Sequence, residues 1–172
     1  MQLIAAIAGL MLLASTSVMA QPLVFHRALQ ASNPPLQIRN LTIVDDPAAN
    51  TTFNFTAYNP DPLANVTANC TGTWLHGSSD FPTGDKGLRC DNSTFAWHFE
   101  YALTNVKNFT IDLQHIFIDP AVGDPPYDRV TVFGRGDFNE SNIKFEADLG
   151  GKLVGTQKPN TPILLPIYAT IA

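Results

Sequence analysis

Charge is scarce in this 172-residue chain, which has ten Lys and Arg, fifteen Asp and Glu and a formal net charge of −5. That excludes a basic patch on which nucleic acid or an anionic bilayer would settle. Cysteine is nearly absent: with only Cys70 and Cys90, neither a multi-disulfide scaffold nor a cysteine-rich metal site can be built. No segment of any length repeats apolar residues at the i, i+3, i+4 spacing of a helix, so a helical bundle is excluded. The one long apolar run, residues 3–13, is shorter than the ~20 residues that cross a bilayer. No internal repeat, low-complexity tract or second domain is visible.

What the chain does have is alternation. Phe95, Trp97, Phe99 and Tyr101 occupy every second position, with Ala96, His98 and Glu100 between them, the pattern of a strand with one buried face. Similar strands are expected over residues 36–44, 51–58, 64–74, 109–118 and 143–149. A short strand is expected over 129–133, a return over 152–154 and a last one over 162–171. Turn signals at Asp45-Asp46-Pro47, Asn59-Pro60-Asp61-Pro62 and Gly150-Gly151 separate them, and residues 78–87 and 119–127 read as surface loops. The fold class is all-β: a single compact antiparallel barrel or sandwich with one disulfide.

The first twenty residues are uncharged and end on Ser17-Val18-Met19-Ala20, which reads as a secretory signal peptide lacking the usual basic start. The expected organisation is a signal peptide over 1–20, a flexible segment over 21–35 and a β-barrel domain over 36–172. Asn-x-Ser/Thr occurs at Asn40, Asn50, Asn54, Asn65, Asn69, Asn92, Asn108 and Asn139, whereas roughly two would arise by chance. Five of these have the form Asn-apolar-Thr, which in a strand buries the middle residue and presents the other two to solvent. Secretion makes a Cys70–Cys90 bridge the simplest use of both thiols, contributing about 3 kcal/mol; the alternative is two buried free thiols.

Catalytic chemistry is poorly represented. His26, His76, His98 and His115 stand at no metal-ligand spacing, no Gly-x-Ser-x-Gly elbow is present, and Asp119, Asp124 and Asp128 lack the pattern of a calcium loop. Glu100 and Asp112, on outward parities of neighbouring strands, are the best pair for carboxylate chemistry on a glycosidic bond, against the plainer reading of two solvated strand faces. Arg135-Gly136-Asp137 spells the tripeptide read by adhesion receptors and falls where a hairpin tip is expected, although Gly-Arg-Gly-Asp is also ordinary turn chemistry. No catalytic residue, metal or cofactor is expected.

The leader, the all-β alternation, the cysteine pair and the Phe95-x-Trp97-x-Phe99 strand after Cys90 together resemble the Alternaria-major-allergen-like family of secreted fungal proteins. The resemblance covers about residues 36–171, and only Cys70 and Cys90 match residue by residue. It implies a compact antiparallel β-barrel and an extracellular, allergen-like or effector-like role. The family's usual second disulfide and subunit-linking cysteine are missing here, so a dimer would be non-covalent. The expected function is non-enzymatic binding of a host protein or small ligand outside the cell, without nucleic acid or membrane. The alternatives are a secreted carbohydrate-active or carbohydrate-binding module and a cell-wall-associated glycoprotein.

Overall fold

A computed structural model describes residues 34–172 apart from 93 and 160, so the expected signal peptide, His26 and most of the 21–35 segment lie outside the described residues. The rest forms strands without a helix: β1 Leu36–Asp45, β2 Asn50–Asn59, β3 Val66–Leu75, β4 Leu88–Arg89, β5 Phe95–Phe99, β6 Phe109–Ile118, β7 Arg129–Phe138, β8 Ile143–Ala147, β9 Leu153–Gln157, β10 Ile163–Leu165 and β11 Ile167–Ile171. They pair antiparallel into two sheets. Sheet A runs β3-β2-β1-β9-β8 with β10 also on β1, and sheet B runs β11-β7-β6-β5-β4. The closed barrel implied by the resemblance does not form, and the sandwich alternative is the one observed.

The first strand shows how spacing dictates this arrangement. Its apolar residues, Leu36, Ile38, Leu41 and Ile43, skip a beat between Ile38 and Leu41, yet all four are fully buried. The register slips between Arg39 and Thr42, and Asn40 takes a left-handed φ of 55°, a conformation Asn tolerates. This bulge keeps both halves of β1 facing inward. Gln157 meets the backbone groups it frees: its Oε1 accepts from Leu41 N at 3.0 Å and its Nε2 donates to Ile38 O at 3.4 Å, besides donating to Thr161 O at 2.7 Å. Gln157 thereby fills the gap along β1 between β9 and β10.

Between the sheets lies an aromatic core. Phe53 of sheet A touches Trp74 at 5.4 Å, Phe99 at 5.3 Å and Phe109 at 5.2 Å, and Phe109 stacks on Phe138 at 5.0 Å. Each fully buried ring contributes about 1.5–3 kcal/mol relative to exposure. Phe95, Trp97 and Phe99 are all fully buried, as their alternation predicts. Tyr101 is not: β5 ends at Phe99, pairing stops after Glu100 N donates to Thr110 O, and Tyr101 is 68% exposed.

Two devices hold the sheets together at their margins. On one side the Cys70–Cys90 disulfide ties β3 to the segment after β4, reinforced where Asn69 N and Nδ2 donate to Asp91 at 2.7 and 3.0 Å. Those donors hold the exposed Asp91 carboxyl below its ordinary range. On the other side the expected single last strand is two, because Pro166 interrupts it. β10 pairs with β1 in sheet A and β11 with β7 in sheet B, so the chain steps from one sheet to the other at Pro166. Among the described residues, no helix is long and apolar enough to cross a membrane.

Candidate functional site

The densest polar cluster lies on the outer face of sheet B. Cross-strand register places His98 of β5 opposite Asp112 of β6, and Asp112 opposite Arg135 of β7, a single row across three strands. Glu100 follows one step past the end of β5. From the far side β11 adds Tyr168, which falls at the register slip between Ile167 and Ala169 and turns onto the outer face.

Asp112 is the centre of this group. It points outward by parity, yet is only 2% exposed because Arg135 and Tyr168 cover it. Its Oδ2 accepts Arg135 Nε at 3.1 Å and Nη2 at 2.7 Å, and the Tyr168 hydroxyl reaches both oxygens at 2.9 and 3.0 Å. Arg135 Nη2 also lies 2.7 Å from Glu100 Oε2, and the guanidinium stands 4.5 Å over the Tyr168 ring. The hydrogen bond to Asp112 raises the Arg135 pKa above its ordinary value. Burial, followed by the bond to Asp112, raises that of Tyr168.

The structure thus brings together Glu100 and Asp112, the two carboxylates singled out from the sequence, and adds the residue between them. One guanidinium binds both on an open sheet surface, whereas glycoside hydrolysis needs the substrate between two carboxyls in a cleft. Ligand atoms of His98, Glu100 and Asp112 lie within 4.8 Å of one another and are the right types for a divalent cation. Arg135 already places a positive charge on two of those three side chains.

Arg135-Gly136-Asp137 is not a hairpin tip. All three residues lie inside β7, paired with Asp112, Ile111 and Thr110; Arg135 is engaged as above, and Asp137 accepts from the Thr110 hydroxyl at 2.7 Å. The glycines that read as a turn serve a close crossing. A Cβ on Gly134 would stand 2.8 Å from Leu165 O, and one on Gly136 3.2 Å from Leu164 O, so side chains there would collide with β10.

The remaining polar residues are structural or elsewhere. His115 is buried on Phe95 at 4.0 Å, and Asp119 caps its own turn by accepting from Ala121 N at 2.9 Å. His76 sits on Asp45 at one end of the sandwich. Sequence reasoning missed Tyr168 and the role of Arg135. The only signal for Arg135 was its outward parity opposite Asp112, which the turn-like glycines around it concealed. No protein-family profile matches this chain, and no characterised protein matches it either.

Proposed function

We propose that this is a secreted, N-glycosylated, non-enzymatic protein that binds an extracellular host or environmental protein through the outer face of sheet B. The observation that carries the reading is where the sequons fall. Asn40, Asn50, Asn54 and Asn69, the sequon asparagines within strands, all belong to β1–β3 of sheet A. Asn65 precedes β3, and Asn92, Asn108 and Asn139 lie just outside strands β5–β7. Glycans on the four strand asparagines would cover the outer face of sheet A, whereas those at Asn92, Asn108 and Asn139 would stand at the strand ends of sheet B and leave the middle of its outer face bare.

The bare face has the composition of a protein interface. Arg135 and the half-exposed Tyr168 are residue types that dominate binding energies, and Phe133 lies 6.3 Å from Tyr168. Exposed Ile118 and part-buried Ile116 extend the apolar rim. Carbohydrate recognition along the Phe95-Trp97-Phe99 stripe is disfavoured because those rings are buried. The fungal, allergen-like or effector-like setting rests on the family resemblance alone.

A glycan wedge tests the reading. The double change Gln114→Asn with Ile116→Thr creates a sequon in the middle of the bare face. The glycosylated wild-type protein is used as bait in plant extracellular fluid beside a polysaccharide panel, with peptide mapping of its glycans. A near-stoichiometric protein partner captured by the wild type and lost by the wedge variant supports the reading. Capture unaffected by the wedge, retention on polysaccharide alone, or unmodified sheet A sequons would overturn it.

A further inference from the structure

We propose that a second, separate site lies at the end of the sandwich where β1 and β3 finish and β2 begins, and that it binds one small polyhydroxylated ring, a pyranose-sized sugar. The cavity there measures about 310 Å³, near the lower bound for small-molecule pockets, so it suits a single ring. It shares no residue with the cluster on sheet B.

Register builds its base. Asp45 pairs with Thr51, and Thr51 with Trp74, so three strands deliver a carboxylate, a hydroxyl and an indole to one edge. The chain then turns at Gly77, whose φ is 73°, and Ser78 N donates to Leu75 O at 3.0 Å. This turn brings Phe81 back over the end of the core, where its ring lies 6.3 Å from Trp74. The segment 103–106 supplies the opposite wall.

The polar wall is pre-arranged. Asp45 Oδ1 accepts the Thr51 hydroxyl at 2.5 Å and His76 Nδ1–H at 2.7 Å. Thr51 is 2% exposed and the Asp45 side chain 15%, so packing restrains both groups. A carboxylate only accepts, so His76 Nδ1 carries the proton of this contact. Among the described residues, no donor reaches Asp45 Oδ2. Ser78, Thr104 and Asn105 add donors and acceptors at the rim, and Phe81, Leu103 and Val106 line the apolar side.

Such a division selects among ligands. A pyranose has an apolar C–H face and an equatorial belt of hydroxyls, matching the two walls. An anionic ligand would meet Asp45, and a plain aromatic ring would offer no hydroxyl to the Asp45 carboxylate or the Asn105 amide nitrogen.

The test is saturation-transfer NMR on the full secreted protein with a panel of methyl glycosides. Affinities of about millimolar Kd are expected for so small a ligand on an open site. Asp45→Asn keeps an acceptor for Thr51 and is expected to weaken binding by about tenfold through loss of the charge-assisted bonds. Asn105→Trp, which fills the mouth, is expected to abolish transfer, and Tyr168→Ala on sheet B to leave it unchanged. Absence of transfer from every glycoside at about 50 mM, far above that Kd, would overturn the proposal. So would transfer that survives both Asp45→Asn and Asn105→Trp in variants that melt like the wild type.

Discussion

His115 shows how one buried side chain sets a property of the whole chain in solution. It is 1% exposed, and its Nδ1 accepts from Asn59 Nδ2 at 2.9 Å. The Asn59 amide is oriented because its oxygen accepts from Asp61 N at 3.0 Å. Burial pushes the His115 pKa down to about 4, with the Asp61 charge pulling weakly the other way. The unfolded chain binds this proton near pH 6.5 and the folded chain resists it. The contribution is therefore fully present above about pH 6.5 and shrinks by roughly 3 kcal/mol as pH falls towards 4. Denaturant unfolding at pH 7.5 and pH 4.5 measures it, and His115→Phe is expected to lose less stability over that interval than the wild type. Equal losses would show that the ring is not held neutral. Trp97 offers a second comparison, because its Nε1 is buried without a partner. Trp97→Ala is expected to cost about 3–5 kcal/mol. Trp97→Phe is expected to cost clearly less, because it also removes the unpaired N–H. Melting curves that rank Phe at or below Ala would contradict that account.

At the scale of the element, apolar alternation made most strands legible. The bounds expected for β1, β2, β3 and β6 fall within a residue or two of those observed, since one buried face imposes period two on the sequence. Even the Asn40 bulge left a trace, in the odd spacing between Ile38 and Leu41. What was illegible depended on contacts between distant segments. β4 is two residues long, too short for a pattern, and exists because Leu88 and Arg89 pair with Trp97 and Ala96. β7 runs five residues further than expected because Gly134 and Gly136 are there to admit β10, and glycine in a sequence does not reveal whether it serves a turn or a crossing. The candidate site was half legible for the same reason. Parity gave Glu100 and Asp112, whereas Arg135 was hidden in the glycines and Tyr168 in a register slip. Gly134→Ala tests the crossing. With its Cβ 2.8 Å from the Leu165 carbonyl, it is expected to destabilise by about 1–3 kcal/mol; a neutral melting temperature would return those residues to ordinary turn chemistry.

On the scale of the whole molecule, the sandwich is closed by different means on its two sides, a covalent bond from β3 to the segment after β4 and a continuous chain at β10–β11. Cys90→Ala removes only the first. A loss of about 3 kcal/mol is expected from the freed loop, with unfolding still cooperative because the Pro166 crossing and the shared aromatic core remain; two separate transitions in calorimetry would mean that the sheets melt independently. The crossing also fixes an order of events during synthesis. β1 is the central strand of sheet A, yet one entire edge of it is satisfied by β9, β10 and Gln157, whose contact with Leu41 spans 116 residues. Closing so long a loop is slow compared with forming a local hairpin. The β1–β2–β3 meander can therefore assemble early but keeps one open edge through most of translation. The earliest strand of the fold is among the last to be completed, which gives its outward Asn40 a long interval in the unfinished chain before the sheet sets around it.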